Sequence, residues 1–506
     1  MTTRALVLRA GDAVAVLTSD VEAGDAVHAG DAVVTATTSI PRGHKVSLRS
    51  QAVGDEVVKY GQVIGVATRA IGIGEHVHSH NLGMAEVGRE YEFATAERVE
   101  LPDADAERTF LGYRRADGRA ATRNYIGIVT SVNCSATAAR LIADEFRGSA
   151  LAAFLHVDGV VALTHQSGCG LVVESEGARI LLRTLRGYAA HPNFAGILVL
   201  GLGCEMVPIS TVVEGLETGA GIVGRLDIQS SGGMRATVAA GIEQIRAMLP
   251  VVDALQREPI PVGELVLGLN CGGSDGYSGI TANPALGYAS DMLVAAGGTS
   301  VLAETPEVFG AEHLLTRRAT SRAVGERLLD RIAWWRDYMT AGGGSLDDNP
   351  SPGNKAGGLT TILEKSLGAV AKAGQVPLQA VYEYAEPVTK KGLVFMDTPG
   401  YDPVSVTGIV AGGATVVCFT TGRGSVFGCR PTPSIKLGTN SELFARMGDD
   451  IDIDCGPIID GSATIEGVGA QIFERIIRVA SGEKTSSEEF GAGQEEFIPW
   501  QLGAVT

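Results

Sequence analysis

The opening stretch of the chain alternates short Val-rich runs with turn signals. Residues 12–17, 32–37, 45–49 and 62–68 each read as a strand, with Gly24-Asp25, Gly54-Asp55, Gly61 and Gly72 as punctuation. Runs of this length, rich in β-branched residues and separated by Gly and Asp, predict strands joined by tight turns. No helical period interrupts them, so residues 1–90 predict a small β-barrel or clip domain. Residues 91–108 are polar and acidic and read as a linker.

Beyond residue 108 the period changes. Apolar runs at 126–130 and 197–202 predict buried strands, residues 135–146 and 234–248 carry helical spacing, and 212–216 is ambiguous. A Pro-flanked stretch at 250–261 marks a boundary, after which the alternation restarts. Strands are predicted at 265–269, 299–303, 393–396 and 415–419, and helices at 283–296, 311–338 and 361–372. Strands alternating with helices predict a multidomain α/β protein. In it a β-clip (1–90) and a linker (91–108) precede two α/β domains with mostly parallel sheets, 109–250 and 251–506.

Composition narrows the function classes. A net charge of −17 argues against nucleic acid or an anionic membrane as partner. The expected partner is a small molecule, and a homo-oligomer is compatible with the sequence. No apolar run reaches the length of a membrane span, the N-terminus lacks a signal-peptide pattern, and seven cysteines form no disulfide framework. Cytoplasm is the expected compartment. The 67 glycines, roughly twice the average share, cluster where apolar runs end.

Those strand ends carry the candidate chemistry. Asn270, Ser274 and Asp275 follow one strand, Asp397 and Asp402 another, and Arg423 and Ser425 a third. Ligands of open α/β sheets bind outside the carboxyl ends of strands, and a guanidinium pairs with a carboxylate in two-pronged geometry. Lys355 lies in a polar turn before a helix and is a candidate partner for a substrate carboxylate. His76, His78 and His80 alternate, so in a strand they would share one face, and His44 precedes Lys45 in a second polar segment. Converging imidazoles suit a divalent transition metal. Cys134, Cys169, Cys204 and Cys271 also sit at strand ends. They are either small residues filling tight turns or ligands of an iron–sulfur cluster.

Several longer strings resemble the altronate/galactarate dehydratase family across nearly the whole chain. They are 112–125 (GYRRADGRAATRNY), 164–170 (THQSGCG), 201–205 (GLGCE), 269–284 (LNCGGSDGYSGITANP), 349–365, 396–403 and 420–433. Residues 43–45 (GHK) and 77–81 (VHSHN) resemble pieces of the family's SAF, or β-clip, module, and with Trp334-Trp335 they resemble the altronate branch. The resemblance implies a hydro-lyase that dehydrates D-altronate to 2-keto-3-deoxy-D-gluconate in hexuronate breakdown, using Fe(II) or Mn(II). It leaves galactarate dehydration and sulfolactate sulfo-lyase activity as alternatives.

The chemistry is removal of the proton beside a carboxylate, with stabilisation of the enediolate and protonation of the departing hydroxyl. Expected catalytic groups are His44, Lys45, Asp275 and Asp397. Expected metal ligands are His44, His78 and His80. Asn270, Ser274, Lys355, Asp402, Arg423 and Ser425 are expected to hold substrate.

Overall fold

The computed structural model describes residues 3–502 apart from 86, 87, 89, 98, 103–106 and 217–220. The N-terminal unit is all β. Its larger sheet runs Ala32–Thr35, Ala26–Ala29, Thr3–Leu6, Val14–Leu17, Lys45–Ser47, His76–Val77. A second sheet joins Glu56–Lys59, Gln62–Ala67 and Leu82–Gly83. The strands fall where the Val-rich runs are, and Val16, Val27, Val34 and Val46 are buried.

The linker expected at 91–108 falls partly outside the described residues. Its described part lies along the C-terminal domain. The backbone N–H groups of Thr95 and Ala96 donate to the Arg317 carbonyl at 2.8 and 2.9 Å, and the Tyr91 hydroxyl donates to Glu312 at 2.6 Å.

The middle unit holds a four-stranded parallel sheet in the order Gly159–Leu163, Tyr125–Thr130, Phe194–Gly201, Ile222–Asp227. Its strands are apolar on both sides because both faces are covered. Ile126, Ile128, Leu198 and Leu200 pack with the helices Ala136–Asp144 and Met234–Asp253. Val129, Ile197 and Val199 face the helix Glu176–Ala189. That second core also takes in Tyr384, Val410, Val417 and Phe419 of the C-terminal domain, so the two α/β units share buried apolar surface.

The stretch at 250–261, where a boundary was expected, is itself structured. The helix runs through Pro250 to Asp253, and Glu258–Pro261 then pairs antiparallel with Thr109–Arg114, burying Phe110 and Ile260. The ambiguous run at 212–216 overlaps a short helix, Ile209–Val213. The helix expected at 311–338 is two pieces, His313–Thr316 and Arg322–Ala341, the second capped by the Ser321 side chain.

The C-terminal sheet has seven parallel strands in the order Leu378–Tyr382, Gly392–Met396, Thr299–Leu302, Val266–Cys271, Val416–Thr421, Ser434–Gly438, Ile453–Asp454. The helices Ala282–Ala295 and Ile465–Ala480 cover one face, and Asp402–Ala411 packs toward the middle unit. The chain first builds the sheet outward on one side of Val266–Cys271, then crosses to add Val416–Thr421 on its other side. The turns after these two strands therefore diverge at a topological switch point, where such sheets bind ligands.

A candidate active-site cleft at the switch point

The two turns are locked to each other. The backbone N–H groups of Gly422 and Arg423 both donate to the Gly273 carbonyl, at 3.0 and 2.7 Å. Gly422 has no room for a side chain, since a Cβ there would lie 2.1 Å from Asp275 Cγ. The N-terminal unit docks on the same turns through glycines. A Cβ on Gly276 would meet the Gly43 carbonyl oxygen at 2.0 Å, and one on Gly358 would meet it at 2.3 Å. The Tyr277 hydroxyl donates to the Leu17 carbonyl at 2.6 Å.

This docking leaves a cleft of about 300 Å³ bordered by Arg42, His44, Tyr277, Arg423, Asn440 and Arg446. Arg423 and Arg446 are exposed and Arg42 is half-buried. Only Arg42 has a carboxylate partner among the described ion pairs, Glu442. Asp20, Asp275 and Glu442 line the same cleft, but Arg423 and Arg446 are not paired with them among the described ion pairs, which leaves both guanidinium groups available to a small anion.

His44 belongs to a group of four imidazoles. Ring centroids of His44 lie 5.1 Å from His76 and 5.0 Å from His78, and His80 lies 5.4 Å from His76. The alternation of His76, His78 and His80 does not come from a strand, which ends at Val77. Residues 78–81 form a turn held by the Asn81 side chain, which accepts from the His78 N–H at 2.9 Å. The turn gathers the rings more tightly than a pleat would, and it brings in His76, which was not among the expected ligands.

His44 Nε2 lies 3.3 Å from the Ala356 carbonyl and His78 Nε2 2.8 Å from the Lys355 carbonyl. A carbonyl can only accept, so both Nε2 atoms carry the proton and both Nδ1 atoms are left as electron-pair donors. Imidazoles oriented through their second N–H in this way are the usual form of metal-ligating histidine. His44 Nδ1 and His76 Nε2 are 3.0 Å apart. His44 and His76 thus offer two adjacent imidazole nitrogens of the kind that ligate a divalent transition metal, with the His78 ring stacked on His44 and its Nδ1 3.0 Å from Ser79 Oγ.

Burial lowers His44 to about 4, with the positive charge of Lys45 acting in the same direction. Burial and the neighbouring imidazoles lower His76 to about 3. All four histidines are shifted downward, so they are neutral at pH 7, the form that binds metal.

Lys45 does not face the cleft. Its ammonium donates to the Gly358 carbonyl at 2.6 Å and to Glu364 at 2.9 Å, and Glu364 accepts from Lys59 at 2.8 Å. All three are buried. Burial would raise Glu364, but the two lysines hold it well below the usual carboxylate range. Burial brings Lys45 down to about 8, while for Lys59 the Glu364 charge outweighs burial and raises it.

Asp275 borders the cleft with its carboxylate turned to protein donors: Ser278 Oγ at 3.0 Å, the Tyr277 N–H at 3.1 Å, Thr439 Oγ1 at 3.0 Å and Asn440 Nδ2 at 3.3 Å. Asp397 lies away from it, accepting from Thr305 at 2.5 Å and Trp335 Nε1 at 2.7 Å. Ser274 and Asn270 are buried. The Ser274 carbonyl accepts from Asn354, and the Asn270 side chain donates to the Cys271 carbonyl at 3.3 Å. Ser425 Oγ accepts from the Phe427 N–H at 3.1 Å. The Lys355 backbone, through its carbonyl, holds His78.

Asp402 opens the helix Asp402–Ala411 and sits over Gly272, where a Cβ would be 2.3 Å from its Oδ2. Burial raises it to about 8, helped by Glu304 and Glu307. It belongs to a second polar cluster that sequence reasoning did not find. Lys372 donates to Cys271 Sγ at 2.8 Å and to Glu304 at 2.7 Å, and Lys365 donates to Glu307 at 2.6 Å.

Cys271, Glu304 and Glu307 are the one trio of possible ligands, among the described residues, whose donor atoms lie within 4.8 Å of one another. Lys365 and Lys372 balance its two carboxylates, while Glu304 Oε1 is buried without a hydrogen-bond partner. The neutral imidazoles carry no competing ammonium, although their donor atoms are not all gathered within 4.8 Å of one another. Arg42, Arg446 and Asn440 were also missed. Arg42 stands beside the noted Gly43-His44-Lys45 string, which was a usable signal, whereas nothing local marks Arg446.

The chain matches three family models. Residues 3–85 match the altronate/galactarate dehydratase SAF domain, 112–253 the second domain of D-galactarate dehydratase/altronate hydrolase, and 262–505 the D-galactarate/altronate dehydratase C-terminal domain. Altronate dehydratase of Bacillus subtilis (strain 168) is 38% identical over 474 residues, 93% of either chain. Galactarate dehydratase (L-threo-forming) of Escherichia coli (strain K12) is 39% identical, covering 89% of this chain and 88% of its own. Altronate dehydratase of the same organism is 37% identical, covering 95% and 96%.

Proposed function

We propose that this chain, which belongs to the altronate/galactarate dehydratase family and is a sugar-acid dehydratase, removes water from D-altronate to give 2-keto-3-deoxy-D-gluconate at the switch-point cleft. The observation that carries the placement is the convergence of His44 with Arg42, Arg423 and Arg446 in one cleft. The C2 proton of a sugar acid is weakly acidic, and its loss puts a second negative charge next to the carboxylate. Arg423, without a carboxylate partner among the described residues and rising from a locked turn, pairs with the substrate carboxylate and keeps it oriented through that change.

His44, His76 and His78 would hold an Fe(II) or Mn(II) ion, which when bound supplies Lewis-acid stabilisation of the enediolate. His80, exposed at the rim of the imidazole group, exchanges protons with solvent and carries one toward the departing C3 hydroxyl. The glycine contacts between the N-terminal unit and the sheet keep the cleft narrow. All seven cysteines are unpaired, as suits the reducing cytoplasm where we place the enzyme.

Galactarate is the second reading, since the galactarate dehydratase of Escherichia coli is as similar as the altronate enzymes. Anaerobic assay of D-altronate, galactarate and sulfolactate with Fe(II) or Mn(II) tests both. The keto acid is expected from D-altronate, with loss in chelator and recovery with either metal. Turnover of galactarate alone would replace the substrate, and full activity in chelator would remove the metal from the reading.

A further inference from the structure

The middle unit repeats the switch-point geometry at its own sheet. Tyr125–Thr130 is flanked by Gly159–Leu163 on one side and Phe194–Gly201 on the other, all parallel, so the turns following the three strands meet at one carboxyl edge. Each turn carries one cysteine: Cys134, Cys169 and Cys204. These three are exposed, whereas the other four cysteines of the chain are buried. A buried cysteine acts as a small apolar residue, but exposed thiols gathered at one edge have no packing role.

The turns are tied to one another by backbone. The Asn133 N–H donates to the Ser167 carbonyl at 2.9 Å, Asn133 Nδ2 to the His165 carbonyl at 3.0 Å, and the Met206 N–H to the Gly168 carbonyl at 3.1 Å. Glu205 pins the third turn to the first, accepting from Ser131 Oγ at 2.8 Å and from the Gly203 N–H at 2.6 Å. Gly168, at φ +102°, lies so close to the first turn that a Cβ would be 2.3 Å from the Ser131 carbonyl oxygen.

The donor spacing argues against a single tetrahedral ion. A tetrahedral zinc site at about 2.3 Å per Zn–S bond holds its sulfurs about 3.8 Å apart. These three cysteines are not among the groups whose donor atoms all fall within 4.8 Å. A cubane cluster places each thiolate on a different iron and so takes a wider set. Cys271, the fourth strand-end cysteine, is committed to Lys372 and Glu304 in the other domain.

We infer that Cys134, Cys169 and Cys204 form a three-thiolate site for a [4Fe–4S] cluster, with one iron left for a ligand from outside the protein. Binding of a preformed cluster replaces three of its external ligands by three thiolates and releases three thiol protons to solvent. No electrons are exchanged. The first two turns also border a cleft of about 610 Å³ through Asn133, His165 and Gln166, with Arg140 beside them, which gives a small acid access to the neighbourhood. The inference goes beyond the dehydratase reading and is independent of the His44 group.

The test is anaerobic incubation of the full chain with a [4Fe–4S] cluster carried on small-molecule thiols, followed by desalting. About four irons and four sulfides per chain are expected to remain, with visible charge-transfer absorption and a paramagnetic signal on reduction. Cys134→Ser, Cys169→Ser and Cys204→Ser should each cut retained iron at least tenfold while leaving the circular dichroism spectrum unchanged, and Cys455→Ala should retain the cluster. Equal retention by the three serine variants, one metal ion without sulfide, or a disulfide among the three with no iron uptake would each overturn the assignment. None of these readouts depends on turnover, so failure here and failure of the dehydratase reading are separable.

Discussion

Two charged clusters flank the strand Val266–Cys271 at the same edge of the seven-stranded sheet, and they are built oppositely. In the cleft, Arg423 and Arg446 face water without carboxylate partners among the described ion pairs, beside neutral imidazoles. On the other side, Lys365 and Lys372 are buried against Glu307 and Glu304. A paired, dry network holds elements in register, and its own charges saturate it. Charge left over in a wet concavity is what an incoming anion can use. The Lys45–Glu364–Lys59 triad belongs to the first kind although Lys45 follows His44 directly in the chain, because it fastens the N-terminal unit to the sheet domain.

The largest effect is expected on the dry side. Glu364→Ala strands two buried ammonium groups and should cost about 3–5 kcal/mol of stability, read by urea denaturation of the intact chain. A loss below about 1 kcal/mol would mean that the triad is solvated and that the comparison fails. On the wet side, Arg423→Ala should raise KM on the order of ten- to a hundredfold, the worth of a charge-assisted hydrogen bond, with an unchanged melting temperature. An unchanged KM would take Arg423 out of the site.

The imidazoles make a pH prediction of fixed sign. His44 and His76 are lowered in the folded protein to about 4 and 3 from 6.5, so between about 4 and 6.5 the unfolded chain binds more protons. Their contribution to stability therefore rises with pH across that window. The His44→Asn, His76→Asn double variant should show a shallower rise in denaturation free energy than the parent, and a parallel profile would contradict the shifts. The smallest effect belongs to the exposed Arg42–Glu442 pair. Glu442→Gln should change stability by no more than about 1 kcal/mol while freeing Arg42 for an anion, which a modest fall in KM would report.

Local patterning carried much of the architecture. The β-clip strands and the buried strands expected at 126–130 and 265–269 were legible because burial acts between near neighbours in sequence, whereas the break capped by Ser321 inside the helix expected at 311–338 was not read. It also singled out the turns that bear Arg423 and Asp275, and the His44 and His78 segments. Within those turns it could not tell a side chain that faces a cavity from one spent on the fold. Asp397 and Asp275 read alike as strand-end carboxylates, yet one caps against Trp335 and the other is enclosed by Thr439 and Asn440.

By itself, then, the sequence determined the kinds of element, the parallel sheets with their glycine turns, and a family likeness that implies sugar-acid dehydration. Only the tertiary structure decided that a histidine turn near residue 78 meets carbonyls near residue 355, that Glu364 answers Lys45 and Lys59, and that three distant cysteines share one edge. The reason is physical. Hydrophobic periodicity is written between residues a few positions apart, whereas charge pairing, ligation and tautomer choice depend on distances that exist only once the sheets have formed.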